Sequence, residues 1–126
     1  MALLNAQTPE RKHMSVTIVL PDAREMQATG GDTGIQLRVI SDGLDGEPYV
    51  HVTEVPANHH IATHSHSETE VTIVLSGSAR VGDTDCPAGT VLVIPANERY
   101  ALDAGDEPLT FVVVRPRKAS YEFAQQ

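Results

Sequence analysis

Hydrophobic and polar residues alternate along several short stretches of the chain, as they do in β-strands that bury one face. Such stretches, many of them rich in β-branched residues, lie at 15–20, 35–40, 49–55, 70–75, 89–94 and 109–114. Turn-forming sequences such as TGGDTG, SDGLDGEP and GDTDCPAG separate them. Only residues 22–28 have helical character, and for two turns at most. Many short, closely spaced strands predict an all-β sandwich or small barrel in which alternate residues face inward.

The predicted domain organisation is simple. We expect residues 1–14 to form a flexible leader and residues 15–126 to form a single β domain, ending in a terminal strand or a loose end at 117–126. A chain of 126 residues is long enough for one hydrophobic core. The predicted strand at 89–94 is apolar on both faces, which is typical of a strand that is covered on both sides. This pattern indicates a second sheet or another subunit packed outside the strand.

Composition and charge narrow the range of partners. With 17 acidic and 9 basic residues, the net charge is −8, which disfavours binding to nucleic acid or to an anionic membrane surface. No apolar run approaches the roughly 18 residues that a membrane span needs, and the first residues lack the features of a secretory signal. The single cysteine, Cys86, cannot form an internal disulfide and fits a reducing compartment. We therefore expect a cytoplasmic protein with a small-molecule partner.

His64, His66 and Glu70 form the most specific chemical pattern in the chain. Residues two apart on a strand point to the same face, so the two imidazoles can approach one ion. The three residues before Glu70 allow a tight turn, after which its carboxylate can face back toward the histidines. Two neutral imidazoles and one carboxylate suit Fe(II), Zn, Mn, Ni or Co and leave positions open for water or substrate. The alternative is a solvated loop that carries surface histidines.

Two longer motifs resemble those of the cupin superfamily. They are the pattern His-x-His-x3-Glu-x6-Gly at 64–77 and the segment PAGTVLVIPANERY at 87–100. The resemblance covers roughly residues 50–114. It implies a small double-stranded β-helix, a jelly-roll-like barrel that is often a homodimer, with the two histidines and the glutamate as ligands of one divalent metal, most commonly iron, inside it. The second motif departs from the family at its last position, where Tyr100 stands in place of the fourth ligand, a histidine.

Tyr100 admits three interpretations. It could bind the metal as tyrosinate, since a bound cation lowers the pKa of a coordinating acid. It could lie near the metal without binding it and act as a hydrogen-bond donor or general acid/base. It could also mark a barrel that has lost its chemistry. We take the second interpretation and assign Tyr100 as the catalytic residue.

Further residues are candidates for substrate binding. Tyr49, His51 and Thr53 share one face of their strand, and a polar stripe of this kind inside a barrel would line a pocket. Thr72 shares the face of Glu70 on the next predicted strand.

His60 and Arg38 extend this set, each with a competing explanation. His60 has the same parity as His64 if the strand is unbroken, so it could reach the substrate or replace the missing imidazole. Pro56 and Asn58 suggest an irregular entry instead, which would leave His60 at the rim. Arg38 interrupts an apolar strand and could grip a substrate carboxylate, or it could belong to an ion pair at the surface.

The sequence supports two classes of function. The first is a small metal-dependent enzyme acting on a small polar metabolite, either an Fe(II)-type oxygenase or a lyase, isomerase or cyclase that uses the metal as a Lewis acid. The second is a non-catalytic cupin that binds a metal or a small molecule as a sensor or as an accessory to a partner enzyme. A cupin barrel does not by itself decide between them.

Overall fold

The computed structural model describes residues 16–23, 25–29 and 34–123, so the leader predicted at 1–14 lies outside the described residues. These residues contain one short 3-10 turn, Pro21–Ala23, which is followed by eleven β-strands. The strands are β1 (Gln27–Ala28), β2 (Gln36–Asp42), β3 (Tyr49–Val55), β4 (His60–His66), β5 (Glu70–Ser76), β6 (Ser78–Val81), β7 (Thr84–Pro87), β8 (Val91–Ile94), β9 (Tyr100–Ala104), β10 (Leu109–Arg115) and β11 (Tyr121–Phe123).

The strands form two antiparallel sheets. The six-stranded sheet has the order β1-β2-β3-β10-β5-β8, and the five-stranded sheet has the order β11-β4-β9-β6-β7. The prediction of an all-β fold is thus confirmed. Within the three described ranges, no helix is long and apolar enough to cross a membrane.

The hydrophobic core lies where the inner faces of the two sheets meet. Leu109, Val74 and Val55 come from the six-stranded sheet, and Ala79 and Leu102 come from the five-stranded sheet. None of these five side chains is more than 3% exposed. Because every second residue of a strand faces the same side, the inner faces continue beyond this core along the same strands, from Val74 to Thr72 and Glu70 in β5, and this continuation forms the candidate site.

Gly77 shows how the turns fix this arrangement. It lies between β5 and β6 with a φ of 74°, a left-handed conformation that glycine adopts without steric cost. A Cβ atom at this position would clash with the backbone carbonyl of Pro108. The turn therefore needs glycine, and it allows the chain to pass from one sheet to the other close to the start of β10.

Two local predictions differ from the structure. Residues 16–20 form no strand, and the side chains of Val16 and Ile18 are 79% and 74% exposed. Their alternating pattern is suited to a strand, but among the described residues no neighbouring strand supplies the hydrogen bonds that a strand requires. In the described part of the stretch 22–28, the helical residues are the last two of the 3-10 turn, Asp22 and Ala23. Strand β1 follows.

Candidate functional site

A cavity of about 590 Å³ lies between the two sheets. Its apolar lining includes Ile35, Leu37, Ile61, Leu92, Ile94, Leu102, Phe111 and Val113. Its polar lining includes Tyr49, His51, Thr53, His64, His66, Glu70, Thr72, Tyr100, Arg115 and Tyr121. The three predicted metal ligands and Tyr100 thus lie together in one cavity. Four of the residues predicted to bind substrate also border it: Tyr49, His51, Thr72 and His60.

A β-bulge in β4 decides which histidines face this cavity. Ile61 is paired with Leu102 of β9, whereas His64 is paired with Tyr100, so two residues of β4, 62 and 63, oppose one of β9, residue 101. The extra residue reverses the parity, and Ile61 rather than His60 shares the inward direction of His64. His60 borders the cavity but is exposed, and its Nδ1 lies 2.6 Å from Oδ1 of Asp103. Of the two alternatives for His60, the structure agrees with the position at the rim, because the strand is not regular.

Glu70 is paired with an arginine inside the barrel. Nη2 and Nε of Arg115 donate hydrogen bonds of 2.9 and 3.1 Å to Oε1 of Glu70. Glu70 is 2% exposed and Arg115 is 6% exposed, so the ion pair is almost completely removed from water. Removing one partner of such a pair would leave an uncompensated buried charge, which makes the two residues interdependent.

The same guanidinium lies against His66. Its Nη2 atom is 3.3 Å from Nδ1 and 3.4 Å from Nε2 of the imidazole, while Nε2 of His66 is 3.6 Å from Oε1 of Glu70. Arg115 is held in this position from the other side as well, since its Cζ atom lies 5.0 Å from the centre of the Tyr49 ring. The positive charge therefore sits between the predicted ligands.

The second oxygen of Glu70 accepts two further hydrogen bonds. Oγ1 of Thr72 donates to Oε2 at 2.5 Å, and the hydroxyl of Tyr100 donates to the same atom at 3.3 Å. Thr72 is 2% exposed and belongs to the same strand as Glu70, two residues away. Both carboxylate oxygens are thus engaged by side chains of the protein.

Aromatic rings surround the remaining part of the set. The ring of His64 is stacked on Tyr121, with centroids 4.8 Å apart, and lies 4.5 Å from the ring of Tyr100. Its Nδ1 is 2.8 Å from the backbone carbonyl of Ala62, which fixes Nδ1 as the protonated nitrogen when the ring is neutral. Nδ1 of His51 forms a hydrogen bond of 2.9 Å with the hydroxyl of Tyr49.

Burial and the charge of Arg115 set the protonation states. Burial lowers the pKa of His51 and of His66 to about 4, and the Arg115 charge contributes to both shifts. Burial alone would raise the pKa of Glu70, but the Thr72 hydrogen bond and the charge of Arg115 outweigh it and lower the pKa. At neutral pH these two imidazoles are uncharged and the carboxylate is ionised.

The pKa values of the tyrosines in the cavity shift in the opposite direction. Burial raises the pKa of Tyr49, Tyr100 and Tyr121, and for Tyr100 the neighbouring Glu70 carboxylate adds to the rise. All three are therefore protonated at neutral pH. Without a bound cation, a tyrosinate at position 100 is disfavoured in this environment. The tyrosinate interpretation, which requires a bound metal, stays a prediction.

No protein-family model and no curated protein matches the chain. Solved structures do. An RmlC-like cupin protein from Ralstonia eutropha JMP134 is 13% identical, with a TM-score of 0.73 over 85% of this chain and 72% of that chain. The chain has the cupin fold. The polyketide cyclase RemF from Streptomyces resistomycificus is 19% identical, with a TM-score of 0.73 over 89% and 87%. KdgF from Halomonas sp. is 16% identical, with a TM-score of 0.68 over 81% and 96%.

In this protein with a cupin fold, the side chains as arranged do not fit a metal ion. Oε1 of Glu70 and the imidazole of His66 both contact Arg115, whose positive charge would repel a divalent cation in the same desolvated space. Among the described residues, no group of three or more His, Cys, Asp or Glu side chains is placed to hold a metal. The metal ligation expected for His64, His66 and Glu70 therefore remains a prediction, which the position of Arg115 opposes.

Arg115 is the main residue that the sequence interpretation missed. The strand predicted at 109–114 ended one residue too early, and β10 continues to Arg115. Extending the alternation would have found it, since Leu109, Phe111 and Val113 face inward and Arg115 is next in the series. Tyr121, on the terminal strand β11, carried no comparable signal in the sequence.

Arg38 has a different position from the one expected of a substrate ligand. It is paired with Val52 in the sheet, whereas its neighbour Leu37 lines the cavity. Arg38 therefore faces away from the cavity, on the outer side of the six-stranded sheet. Its Nε atom is buried without a hydrogen-bond partner.

Proposed function

We propose that this protein is a metal-independent cupin that binds a small, uncharged and largely apolar molecule carrying an oxygen group inside its cavity. The observation that carries this proposal is the buried ion pair of Arg115 with Glu70, at 2.9 Å. Glu70 is the only carboxylate among the predicted ligands, and Arg115 of the same chain neutralises it. The polar side of the cavity is then left without a net charge for a ligand to balance.

The apolar part of the ligand has a suitable environment. Leu37, Ile61, Leu92, Leu102 and Phe111 line the cavity and come from five different strands. Removing apolar surface from water stabilises binding by about 25 cal/mol per Å². A cavity of about 590 Å³ lies within the range of known small-molecule sites, which is about 300–1,000 Å³.

The oxygen group of the ligand would be recognised by uncharged hydrogen-bonding side chains. His51 is a neutral imidazole that faces the cavity, and when Nδ1 accepts from the Tyr49 hydroxyl, its Nε2 carries a hydrogen that a ligand carbonyl can accept. Tyr100 donates its hydrogen to Glu70, and its oxygen can accept a hydrogen bond from a ligand hydroxyl. Such groups bind a carbonyl or a hydroxyl without the burial of a charge. A carboxylate would compete with Glu70 for the guanidinium and would leave one of the two anions unpaired.

Two probes of similar size and different charge test this proposal. Isothermal titration calorimetry with 2-octanone and with octanoate should show binding of the ketone that is at least about tenfold tighter, because an unpaired buried charge costs several kcal/mol. Octanoate binding as tightly as the ketone, or neither probe binding, would count against the proposal.

A variant that fills the cavity locates the binding. Leu102→Trp places a large ring in the lining and should abolish the heat of 2-octanone binding. Glu98→Trp places the same ring on an exposed turn and should leave binding unchanged. Equal loss in both variants, or in neither, would place the ketone outside this cavity.

A metal-dependent enzyme is the second candidate, and one observation favours it. His64, His66 and Glu70 converge, with ring centroids of the two histidines 4.9 Å apart and Nε2 of His66 3.6 Å from Glu70. RemF, a structure of similar fold, is named as a polyketide cyclase. In this candidate, which would include an oxygenase or a lyase, Arg115 would have to leave Glu70 before an ion could bind. The metal content of the purified protein separates the two candidates.

We also propose that the protein is a homodimer that pairs through the outer face of its six-stranded sheet. Three apolar residues that are at least partly exposed form one row across this face, Val112, Ile73 and Val91, and the row ends at Val52, which is only 4% exposed. Val91 is 55% exposed and Val93, on the same strand, is 68% exposed. Exposed apolar surface of this kind is typical of interaction sites.

Charge complementarity on this face favours a second copy as the partner. Arg38 is paired with Val52, and the exposed Glu54 lies two residues from Val52 on the same side of the sheet. A two-fold axis brings a surface against its own copy, so Arg38 of one protomer can meet Glu54 of the other twice in the interface. The two charges are opposite, so each of these contacts would favour association.

A further inference from the structure

We propose that Arg115 is an internal cation that occupies the ion position of the His64, His66 and Glu70 set, and that a neutral residue in its place uncovers a latent site for a divalent transition metal. This inference builds on the metal-independent part of the proposed function and does not depend on the organic ligand.

The contacts of the guanidinium are those expected of a replaced ion. Nη2 of Arg115 contacts Oε1 of Glu70 at 2.9 Å and both nitrogens of His66 at 3.3 and 3.4 Å. A metal shared by the two residues would have to contact the same carboxylate oxygen and one of the same ring nitrogens. One cation therefore excludes the other from this space.

The charge balance points the same way. A carboxylate that is only 2% exposed needs a compensating positive charge or a set of hydrogen bonds. Glu70 has both within the chain, since Arg115 pairs with Oε1 while Thr72 and Tyr100 donate to Oε2. No ion from solution is needed to stabilise the ionised carboxylate.

The backbone fixes Arg115 in this place. It is the last residue of β10, it is paired with Tyr49 of β3, and its guanidinium lies over the Tyr49 ring. The side chain is 6% exposed and its charge is paired with Glu70, so a rotation away from Glu70 would separate two buried charges. A change at Arg115 should therefore empty the position without moving the strands that carry the ligands.

The remaining geometry is compatible with an ion once the guanidinium is gone. Nε2 of His66 and Oε1 of Glu70 are 3.6 Å apart. Two metal–ligand bonds of about 2.0–2.2 Å each can span this separation at an angle near the tetrahedral value. His64 is next to His66, with Nδ1 directed at the Ala62 carbonyl, which leaves Nε2 as the ring nitrogen suited to coordinate.

A cobalt titration of the full chain, purified without a chelating tag, tests the inference. We expect wild type to show no saturable binding of Co²⁺ and Arg115→Met to bind one Co²⁺ per chain, with the d–d absorption bands of a bound ion. The affinity should rise on the order of a thousandfold, the effect that one unit charge exerts on another about 4 Å away at an effective dielectric constant near 20.

Two further variants serve as matched controls. Arg115→Met combined with Glu70→Gln lacks the carboxylate ligand and should lose the acquired binding. Arg80→Met removes an arginine from an exposed ion pair with Asp85 and should behave like wild type. An equal gain in the Arg80 variant would show that the added binding has nothing to do with the barrel and would overturn the inference.

Folding of the variant needs its own measurement, because Arg115→Met leaves Glu70 without its cation. Circular dichroism with Co²⁺ and with Mg²⁺ shows whether the fold is restored only by the transition metal, which would support the inference. Arg115→Gln, a neutral residue that can still donate to Glu70, is the second variant and should show the same gain. Folded Arg115 variants that bind Co²⁺ no more tightly than wild type would overturn it.

The outcomes separate this inference from the proposed function. Tight Co²⁺ binding by wild type would overturn the inference and the metal-independent function together. A wild type without metal binding, with variants that also fail to bind, would overturn the latent site alone. The 2-octanone experiment remains a separate test of the proposed ligand.

Discussion

The six-stranded sheet carries buried charges on its inner face and exposed valines on its outer face, the opposite of the usual distribution. On the inner face, Glu70 and Arg115 are 2% and 6% exposed and bond to each other. On the outer face, Val91 and Val93 are 55% and 68% exposed. Polar groups that are buried need partners, and apolar groups that are exposed mark contact surfaces. The charges of the inner face are paired with each other within the chain, whereas we expect the apolar outer face to pack against a second copy of the protein.

The two faces also differ in what a mutation should do. A change on the inner face removes a partner from a desolvated charge and should act on the stability of the protomer. A change on the outer face removes no partner within the protomer and should act on association alone. Four expected results, in decreasing order of size, test this difference.

The largest effect should come from the ion pair itself. Glu70→Gln leaves the Arg115 charge buried and uncompensated, and we expect the free energy of unfolding to fall by about 3–5 kcal/mol. Combining it with Arg115→Met removes both charges and should restore part of this loss. Urea unfolding of the two single variants and the double variant gives the coupling between them. Additive losses would contradict the pairing.

The second effect is a dependence of stability on pH. His51 and His66 have pKa values of about 4 in the folded protein and 6.5 as ordinary histidines. Between these values the unfolded chain binds more protons, so the free energy of unfolding should decrease as the pH is lowered from 6.5 to 4. Glu70, whose pKa is lowered, adds a loss only below its unfolded value of 4.5.

Removing one of these histidines should flatten the profile. We expect His51→Gln to reduce the slope of the unfolding free energy between pH 6.5 and 4 by about a third to a half, since His66 and His64, whose pKa burial also lowers, remain. His60→Gln, at an exposed position, is the control and should leave the slope unchanged. An unaltered slope in the His51 variant would show that His51 is not held neutral by its surroundings.

The third effect concerns the hydrogen bonds to Oε2 of Glu70. Thr72→Val keeps the shape of a side chain that is 2% exposed but removes a donor 2.5 Å from an ionised carboxylate. We expect a loss of about 2 kcal/mol in thermal or urea unfolding. Tyr100→Phe removes a donor at 3.3 Å and should cost less than Thr72→Val. The reverse order would show that Tyr100, rather than Thr72, is the main support of the carboxylate.

The fourth effect tests the outer face. Val93→Asp places a charge on the exposed side of β8, and we expect it to weaken dimerisation at least tenfold, or about 1.4 kcal/mol. Sedimentation velocity over a range of concentrations measures this. The stability of the protomer should change by no more than about 0.5 kcal/mol, as for other surface substitutions. A wild type that stays monomeric at high concentration would contradict the homodimer.

Strand positions with strong alternation were predictable from the sequence. The stretches 49–55, 70–75 and 109–114 agree with β3, β5 and β10 to within one residue at each end. Their β-branched residues suit a pleated surface that is buried on one face. The stretch at 15–20 has the same alternation, but its described residues form no strand, because pairing depends on a neighbouring strand that a local pattern does not reveal.

The candidate site was predictable only where the strands are regular. His64, His66 and Glu70 lie together in the cavity, as their spacing indicated. The bulge in β4 changed the direction of His60, since one extra residue reverses the parity of a strand. The ion pair of Glu70 with Arg115 joins residues 45 positions apart, and nothing local to either residue announces such a contact.

The metal content of the wild-type protein tests the central claim most directly. The chain should be expressed in medium supplemented with iron, zinc and manganese, purified without a chelating tag, and analysed by inductively coupled plasma mass spectrometry. If Arg115 holds the position of the ion, each metal should be present at far less than one atom per chain. One tightly held transition metal per chain would contradict this account and would favour the metal-dependent enzyme.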